Sequence, residues 1–331
     1  MKKNIALLLG GDSAEAVISV KSAGQMLQHL DADLFNVYPI TVKGTSWTFS
    51  GNGREIDVDK NDFSMVVDGQ RIHFDCAVPM IHGTPGENGL LQAYFDLMRV
   101  PYITCGVLVS SLTFNKHACK TYLNSLGILF PKGKLIRKGE KIDAQEIFAR
   151  LGLPCFVKPN NGGSSFGVTK IKCSDELEAA LEAAFAEDAY EVLVEEYIEG
   201  TEITCGLVKV DEKIIVFPVT EIVSKKEFFD VEAKYEVGMS DEITPARISD
   251  TLRSDCEIIS TAIYNYLNCR GVVRIDYIVR DRQIYFLEVN TVPGMTSASI
   301  IPKQINVMGE ISVKELYTKL IIESIESVGK N

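Results

Sequence analysis

A chain of 331 residues with 46% hydrophobic and 24% charged residues can bury the cores of two or three domains, which excludes a disordered chain. Its formal net charge of −11 argues against nucleic acid and anionic membranes as partners, because the protein's field repels both. The eight cysteines form no C-x-x-C pair and most sit in apolar runs, so buried free thiols in a reducing compartment are expected rather than a zinc site.

In chain order, Ile5–Leu9 reads as a buried parallel strand. It is too short for the apolar region of a secretion signal, and Gly10-Gly11 ends it like a strand-to-loop turn. No window is long and apolar enough to span a bilayer, so a cytoplasmic protein is expected. Ser22–Leu30 has helical spacing, Cys76–Ile81 is a second buried strand, and a Gly-rich loop leads to a helix near Gly89–Met98. This βα rhythm predicts an α/β fold whose first section, 1–102, is built on a parallel sheet. The second section, 103–197, has a helical stretch at Lys116–Leu126 and strands near Phe156–Lys158 and Val168–Lys172. Ser174 is then read as the N-cap of a helix running to about Ala186, with Asp175 and Glu176 in its first turn. The third section, 198–331, has strands at Glu202–Val210 and Ile214–Val219, a helix at Asp250–Leu267, and a hairpin over Val272–Asn290. Its last helix opens with the capping box of Ser312 and Glu315 and runs to about Glu326. Between these elements the polar stretch Ser224–Ile248 is long for a loop in a compact domain, and a lid is the preferred reading.

The hairpin carries the strongest chemical pattern. Side chains alternate along strands, so Arg274 and Asp276 share one face, as do Glu288 and Asn290. If those faces meet, two carboxylates and an amide oxygen converge beside a guanidinium, a donor set that suits magnesium. The solvated face of an amphipathic hairpin explains the same pattern. Direct opposition of Asp276 and Glu288 pairs Arg280 with Ile284 and leaves the loop Asp281–Gln283; a two-residue loop requires a bulge to keep them on one face. On the far face, Val273, Ile275, Tyr277, Leu287 and Val289 should be apolar packing. A second pattern is the strand that delivers Lys158 to the loop Asn160–Gly167, whose backbone N–H groups can wrap phosphates; an ordinary hairpin loop explains it as well. Two further segments, 10–15 and 82–89, follow buried strands, where α/β sheets bind ligands. Each of His82 and Glu15 alone is better explained as structural.

Taken together, the segments GGDSAE (10–15), HGTPGENG (82–89), VKPNNGGSSFG (157–167), VEEYIEGTE (194–202), EAKY (232–235), RIDY (274–277) and LEVNTVPGMTSAS (287–299) resemble the D-alanine–D-alanine ligase family in order and spacing, over nearly the whole chain. The resemblance implies a three-domain ATP-grasp fold, with ATP held between two antiparallel sheets. It implies an N-terminal domain (1–102) that binds the first D-alanine, a central domain (103–197), and a C-terminal domain (198–331) with a lid over 224–248. Lys116 and Lys158 are similar to phosphate-binding lysines, and Lys234 to the lid lysine that reaches the γ-phosphate. Glu195, Glu196 and Ile198 match the strand that reads the adenine edge, and Glu202 the ribose-binding carboxylate. Asp276, Glu288 and Asn290 match the ligands of two magnesium ions, with manganese as an alternative. Glu15 and His82 match residues holding the first D-alanine. Arg274 and the Gly294 backbone match groups that steady an oxyanion. Ser299, with Ile300 beside it, matches the site for the second carboxylate, and Ser164 and Tyr235 the partners that link Glu15 to the lid. Tyrosine at position 235 goes with D-alanine, rather than D-lactate, as acceptor. A homodimer is implied in the same way.

The chain departs from the family at Ala16, Asn88 and Ile300, where histidine, aspartate and leucine are usual. The expected activity is ATP-dependent ligation of two D-alanines for peptidoglycan synthesis. Ligation to another acceptor such as D-lactate, or a nucleotide or amino-acid sensor without turnover, are the alternatives; an intact set of metal and phosphate residues argues against the sensor.

Overall fold

The computed structural model describes residues 1–51, 53–163, 166–224 and 240–328. The first section contributes β1 (Lys3–Gly10), α1 (Ala16–His29), β2 (Phe35–Lys43), β3 (Ser46–Gly51), β4 (Arg54–Asp57), β5 (Ser64–Val67), β6 (Gln70–His73), β7 (Cys76–Pro79) and α2 (Leu90–Met98). Its sheet has the order β4-β3-β2-β1-β7, and β5 and β6 form a separate hairpin. Parallel pairing is confined to β2-β1-β7, where Ile5 to Leu8 are wholly buried. The expected parallel sheet is thus incomplete, because β3 and β4 extend it as an antiparallel edge. Those strands are short and largely open to solvent, so they lack the continuous apolar run that marks a parallel strand. After β1 the chain turns at Gly11, with φ +100° and room for no Cβ, since one would stand 2.6 Å from Ile81 Cγ2. This close approach lets the Asp12 N–H reach the Thr84 carbonyl and sets the loop that carries Glu15.

The second section holds α3 (Val107–Phe114), α4 (Lys116–Leu123), β8 (Gly133–Arg137), α5 (Ala144–Leu151), β9 (Cys155–Pro159), β10 (Thr169–Ile171), α6 (Leu177–Glu187) and β11 (Glu191–Glu196). The strands form an antiparallel sheet in the order β10-β9-β11-β8. α5 and α6 cover one face, packing Ile147 and Leu181 against Val157 and Val194. Ser174 does not cap α6: it lies in a preceding 3-10 turn and its hydroxyl donates to Asp175. Glu176 instead reaches back to the Lys172 N–H at 2.6 Å, which tightens the entry to the helix.

The third section comprises β12 (Thr201–Val210), β13 (Lys213–Val216), β14 (Thr220–Ser224), β15 (Ser240–Ile243), α7 (Asp250–Tyr266), β16 (Val273–Arg280), β17 (Gln283–Asn290), α8 (Ile300–Met308) and α9 (Val313–Val328). The sheet order is β15-β14-β12-β16-β17, with β13 beside β12. β15 falls inside the long polar stretch 224–248 and pairs with β14 as a sheet edge. Residues 225–239 of that stretch lie outside the described residues. The β16–β17 hairpin closes through two residues, not three: Arg280 pairs with Gln283, and Asp281 and Arg282 both have positive φ, +51° and +64°. Such a turn matches the twist of the flanking strands. Asp276 still faces Glu288, because a bulge at Leu287 restores the pairing that the shorter turn shifts by one. Leu287 consequently leaves the apolar face, where the simple alternation puts it, and lines the central cleft.

One core runs between the first and third sheets, joining Ile5, Leu7 and Val78 to Val208, Phe217, Ile301 and Leu316. Another packs α3, α4 and α7 on the third sheet through Val109, Leu123, Ile263, Ile275 and Phe286. The capping box of α9 forms as expected: the Ser312 N–H donates to Glu315 at 2.8 Å, and the Glu315 N–H to the Ser312 hydroxyl at 3.1 Å. All eight cysteines are free thiols, seven of them buried. Among the described residues no helix is long and apolar enough to cross a membrane.

Candidate active site

All three sections meet around one cleft of about 980 Å³. The first section presents Glu15 and Gly83, helix α4 presents Lys116, and the second sheet presents Lys158 and Glu195. The third sheet presents Glu202, Arg274, Asp276 and Glu288. Of the remaining expected residues, Glu196 and Ile198 also line the cleft.

Strand register explains the acidic end. Thr204 of β12 pairs with Asp276, and Asp276 with Glu288, while Arg274 pairs with Asn290. Directly paired residues share a face, so both carboxylates, the amide and the guanidinium stand together. Arg274 grips Asp276 with two bonds of 2.9 Å. Asn290 donates its amide N–H to Asp276 at 3.0 Å, and the Thr204 hydroxyl donates at 2.6 Å. Because the Asn290 nitrogen is committed to Asp276, its oxygen is the atom left to coordinate a cation. Glu288 is 3.4 Å from the Lys116 ammonium. Among the described residues no three His, Cys, Asp or Glu side chains form a metal cluster. An Asp–Glu–Asn set nonetheless fits magnesium, which takes one or two protein carboxylates and completes its shell with phosphate oxygens and water.

At the other end, Lys158 of β9 and Glu195 of β11 lie diagonally across a strand pair and are joined at 2.6 Å. Glu195 is only 3% exposed. Burial pushes its carboxyl up, but the charges of Lys120 and Lys158 outweigh this and hold it at about 2. Between the two ends, the loop after β9 is fixed from outside. Asn160 accepts from the His117 N–H at 2.9 Å and donates to Glu191 at 2.7 Å. Asp188 accepts from the Asn161 N–H at 2.9 Å, and Lys116 donates to the Gly162 carbonyl at 2.5 Å. A Cβ on Gly163 would stand 3.0 Å from Glu15, so glycine permits the loop to approach the first section.

Several expected residues lie off the cleft wall. His82 is buried; its Nδ1 lies 2.8 Å from the Val292 carbonyl and its Nε2 3.3 Å from the Ser22 hydroxyl. Burial lowers its pKa, so it is a neutral donor to Val292 that ties the 82–89 loop to the third section. Asn290 touches the site through Asp276. Gly294 and Ser299 face one another, since a Cβ on Gly294 would stand 2.9 Å from the Ser299 hydroxyl. Ser299 accepts from the Thr296 N–H at 3.1 Å, and Ile300 is the buried first residue of α8. Ser164, Lys234 and Tyr235 lie outside the described residues.

Three contributors are missing from the set expected from the sequence. Lys120 pairs with Glu195, and Thr204 holds Asp276; neither sits in a segment with its own chemical signature. Glu87 had such a signal, since it lies within HGTPGENG. It accepts from the Gly83 N–H at 2.7 Å and the Val292 N–H at 3.2 Å. Burial and then the charge of Glu15 push its carboxyl up to about 8.

The chain has counterparts among known proteins. Residues 4–105 match the family model described as D-ala D-ala ligase N-terminus, and residues 123–322 the one described as D-ala D-ala ligase C-terminus. The D-alanine–D-alanine ligase of Phocaeicola vulgatus is 46% identical over 323 residues, covering 97% of this chain and 99% of that protein. The crystal structure of VanG D-Ala:D-Ser ligase from Enterococcus faecalis aligns with TM-score 0.85 at 32% identity, covering 97% and 99% of the two chains. That of D-alanine–D-alanine ligase from Bacillus anthracis complexed with ATP aligns with TM-score 0.78 at 31% identity, covering 99% of both.

Proposed function

Because the chain belongs to the D-alanine–D-alanine ligase family, we propose that it joins two D-alanines with ATP, yielding D-alanyl-D-alanine, ADP and phosphate for peptidoglycan synthesis. The observation that carries this reading is the paired Asp276–Glu288 face with Arg274, set across one cleft from Lys158 and Glu195. The domains are 1–102, 103–197 and 198–331, acting in the cytoplasm as a homodimer.

In the first step a carboxylate oxygen of D-alanine attacks the γ-phosphorus of ATP, and ADP leaves. Little covalent help is needed from the protein; placement and charge neutralisation do most of the work. Lys116 and Lys158 hold the phosphates, and Glu195, Glu196, Ile198 and Glu202 hold the nucleoside. Asp276, Glu288 and Asn290 would hold magnesium, which would supply charge neutralisation for the transferring phosphoryl group. The same cations lie beside carboxylates, Lys116 at 3.4 Å from Glu288 and Arg274 at 2.9 Å from Asp276.

In the second step the amine of the second D-alanine attacks the acyl phosphate, and phosphate leaves. Arg274 and the Gly294 N–H steady the oxyanion; Glu15 holds the first D-alanine, with the buried His82 acting behind it by fixing the 82–89 loop, and the family resemblance assigns Ser299 with Ile300, which lie off the cleft wall, to the second. Ser164, Lys234 and Tyr235 complete the closed site. The test supplies protein, ATP, magnesium and D-alanine, with D-serine and D-lactate as competitors, and quantifies phosphate and products. Phosphate release that depends on D-alanine, with dipeptide as the main product, is expected. Release without dipeptide overturns the acceptor assignment, and no release overturns the ligase assignment.

A further inference from the structure

Helix α4 carries two lysines four residues apart, which places them on one face of the helix. Lys116 reaches Glu288 at the acidic end of the cleft, and Lys120 reaches Glu195 at the other. Lys116, Lys158 and Glu195 line the cleft, whereas Lys120 does not; it is buried behind Glu195 with 8% of its surface exposed. Glu195 uses one carboxylate oxygen for Lys120 and the other for Lys158. Among the described residues Lys120 therefore meets the cleft only through Glu195.

We propose that Lys120 is a positioning residue for nucleotide binding, dividing the charge of Glu195 so that Lys158 remains available to phosphate. This rests on the ATP-binding reading of the cleft. The argument is one of charge balance. A buried carboxylate must be paired, because an uncompensated charge in a low-dielectric interior is costly. With Lys120 present, two ammonium groups share one carboxylate, and Lys158 carries surplus positive charge toward the cleft. Without Lys120, the whole charge of Glu195 falls on Lys158 and the pair becomes neutral toward a phosphate. Burial lowers the pKa of Lys120 against the pull of Glu195, to about 8, so the ammonium form persists at neutral pH. The anchoring of α4 makes the arrangement rigid. The Asn115 side chain accepts the Ala118 N–H at 2.8 Å, and the Lys116 N–H bonds the Asn160 carbonyl at 3.0 Å.

The test measures KM for ATP and for D-alanine separately in the full-length protein. A hydrogen bond to a charged group contributes about 1.5–3 kcal/mol, so Lys120→Met should raise KM for ATP by roughly tenfold or more. KM for D-alanine at saturating ATP should stay within about twofold, because Lys120 faces the nucleotide end. Lys120→Arg, which keeps the charge, should recover most of the loss. In a Glu195→Gln background the same Lys120→Met change should cost less than about threefold, since the charge it balances has gone. If Lys120→Met alone does not fold, Lys120→Gln supplies the first leg of that comparison. Unchanged ATP affinity in Lys120→Met, an equal rise in both KM values, or a full tenfold cost in the Glu195→Gln background overturns the proposal. If the unmodified protein binds no ATP, the ligase reading itself fails, which is a separate outcome.

Discussion

Asp276 accepts bonds from Arg274, Asn290 and Thr204 at once, so its orientation is set before any cation arrives. Thr204→Val keeps the shape and deletes only the 2.6 Å bond from its hydroxyl. The expected outcome is a weakened response to magnesium, the half-activating concentration rising by about tenfold, as loss of an outer-shell partner usually brings. A magnesium titration of turnover checks it, and an unshifted curve would remove Thr204 from the site. Glu195 gives a prediction about pH. Its folded pKa, about 2, lies below the 4.5 of an ordinary glutamate. The stability it confers is therefore full above about pH 4.5 and fades as pH falls toward 2, on the order of 3 kcal/mol in all. Thermal midpoints of the unmodified protein and Glu195→Gln should differ most above pH 5 and converge on acidification; a constant gap contradicts the assignment. At this scale the sequence marks the residues whose charge lies in a motif. It is silent on Lys120 and Thr204, because their importance comes from the partner each meets across the fold.

The hairpin shows why elements are legible in outline and less so in detail. Alternation along 273–290 places the two carboxylates on one face, and the register holds them there. The turn was harder to read. Asp281-Arg282 carries no glycine, yet both residues adopt positive φ, and the bulge at Leu287 has no sequence signal separate from its apolar neighbours. The antiparallel edge β3–β4 is harder to read for a different reason: Trp47, Phe49 and Ile56 alternate with polar residues and pack on the core, but each strand is only four to six residues long. The strain in the turn is testable. Asn and Gly accept positive φ more readily than Asp and Arg. Asp281→Asn with Arg282→Gly should raise stability by about 0.5–1 kcal/mol, read as a higher thermal midpoint, with turnover unchanged because the turn lies outside the cleft. A lower midpoint would show that the turn draws its stability from the native side chains instead.

On the scale of the molecule, the first and third sheets share a core, while the second packs its own helices. The cleft is the place where all three sections contribute side chains. Ligand binding should therefore stabilise the whole chain rather than one part, by an amount set by the ratio of ligand concentration to dissociation constant. The net charge of −11 makes that binding depend on local cations, since the overall field repels ATP. Lys116 and Arg274 pair with Glu288 and Asp276, which balances charge at the acidic end of the cleft. Magnesium held by these carboxylates would bring positive charge to the phosphates at this end. ATP with magnesium is then expected to raise the thermal midpoint of the unmodified protein well above the rise with ATP and a chelator. Glu288→Gln should keep the ligand-free midpoint within a few degrees, because its 3.4 Å pair with Lys116 is a modest contact at a partly open site. The same variant should lose most of its turnover and most of the magnesium-dependent part of the shift, since a neutral amide compensates less of the metal's charge. Melting curves for both proteins, with and without chelator, separate the outcomes. A shift in Glu288→Gln that still depends on magnesium as strongly as in the unmodified protein would place the metal elsewhere in the cleft.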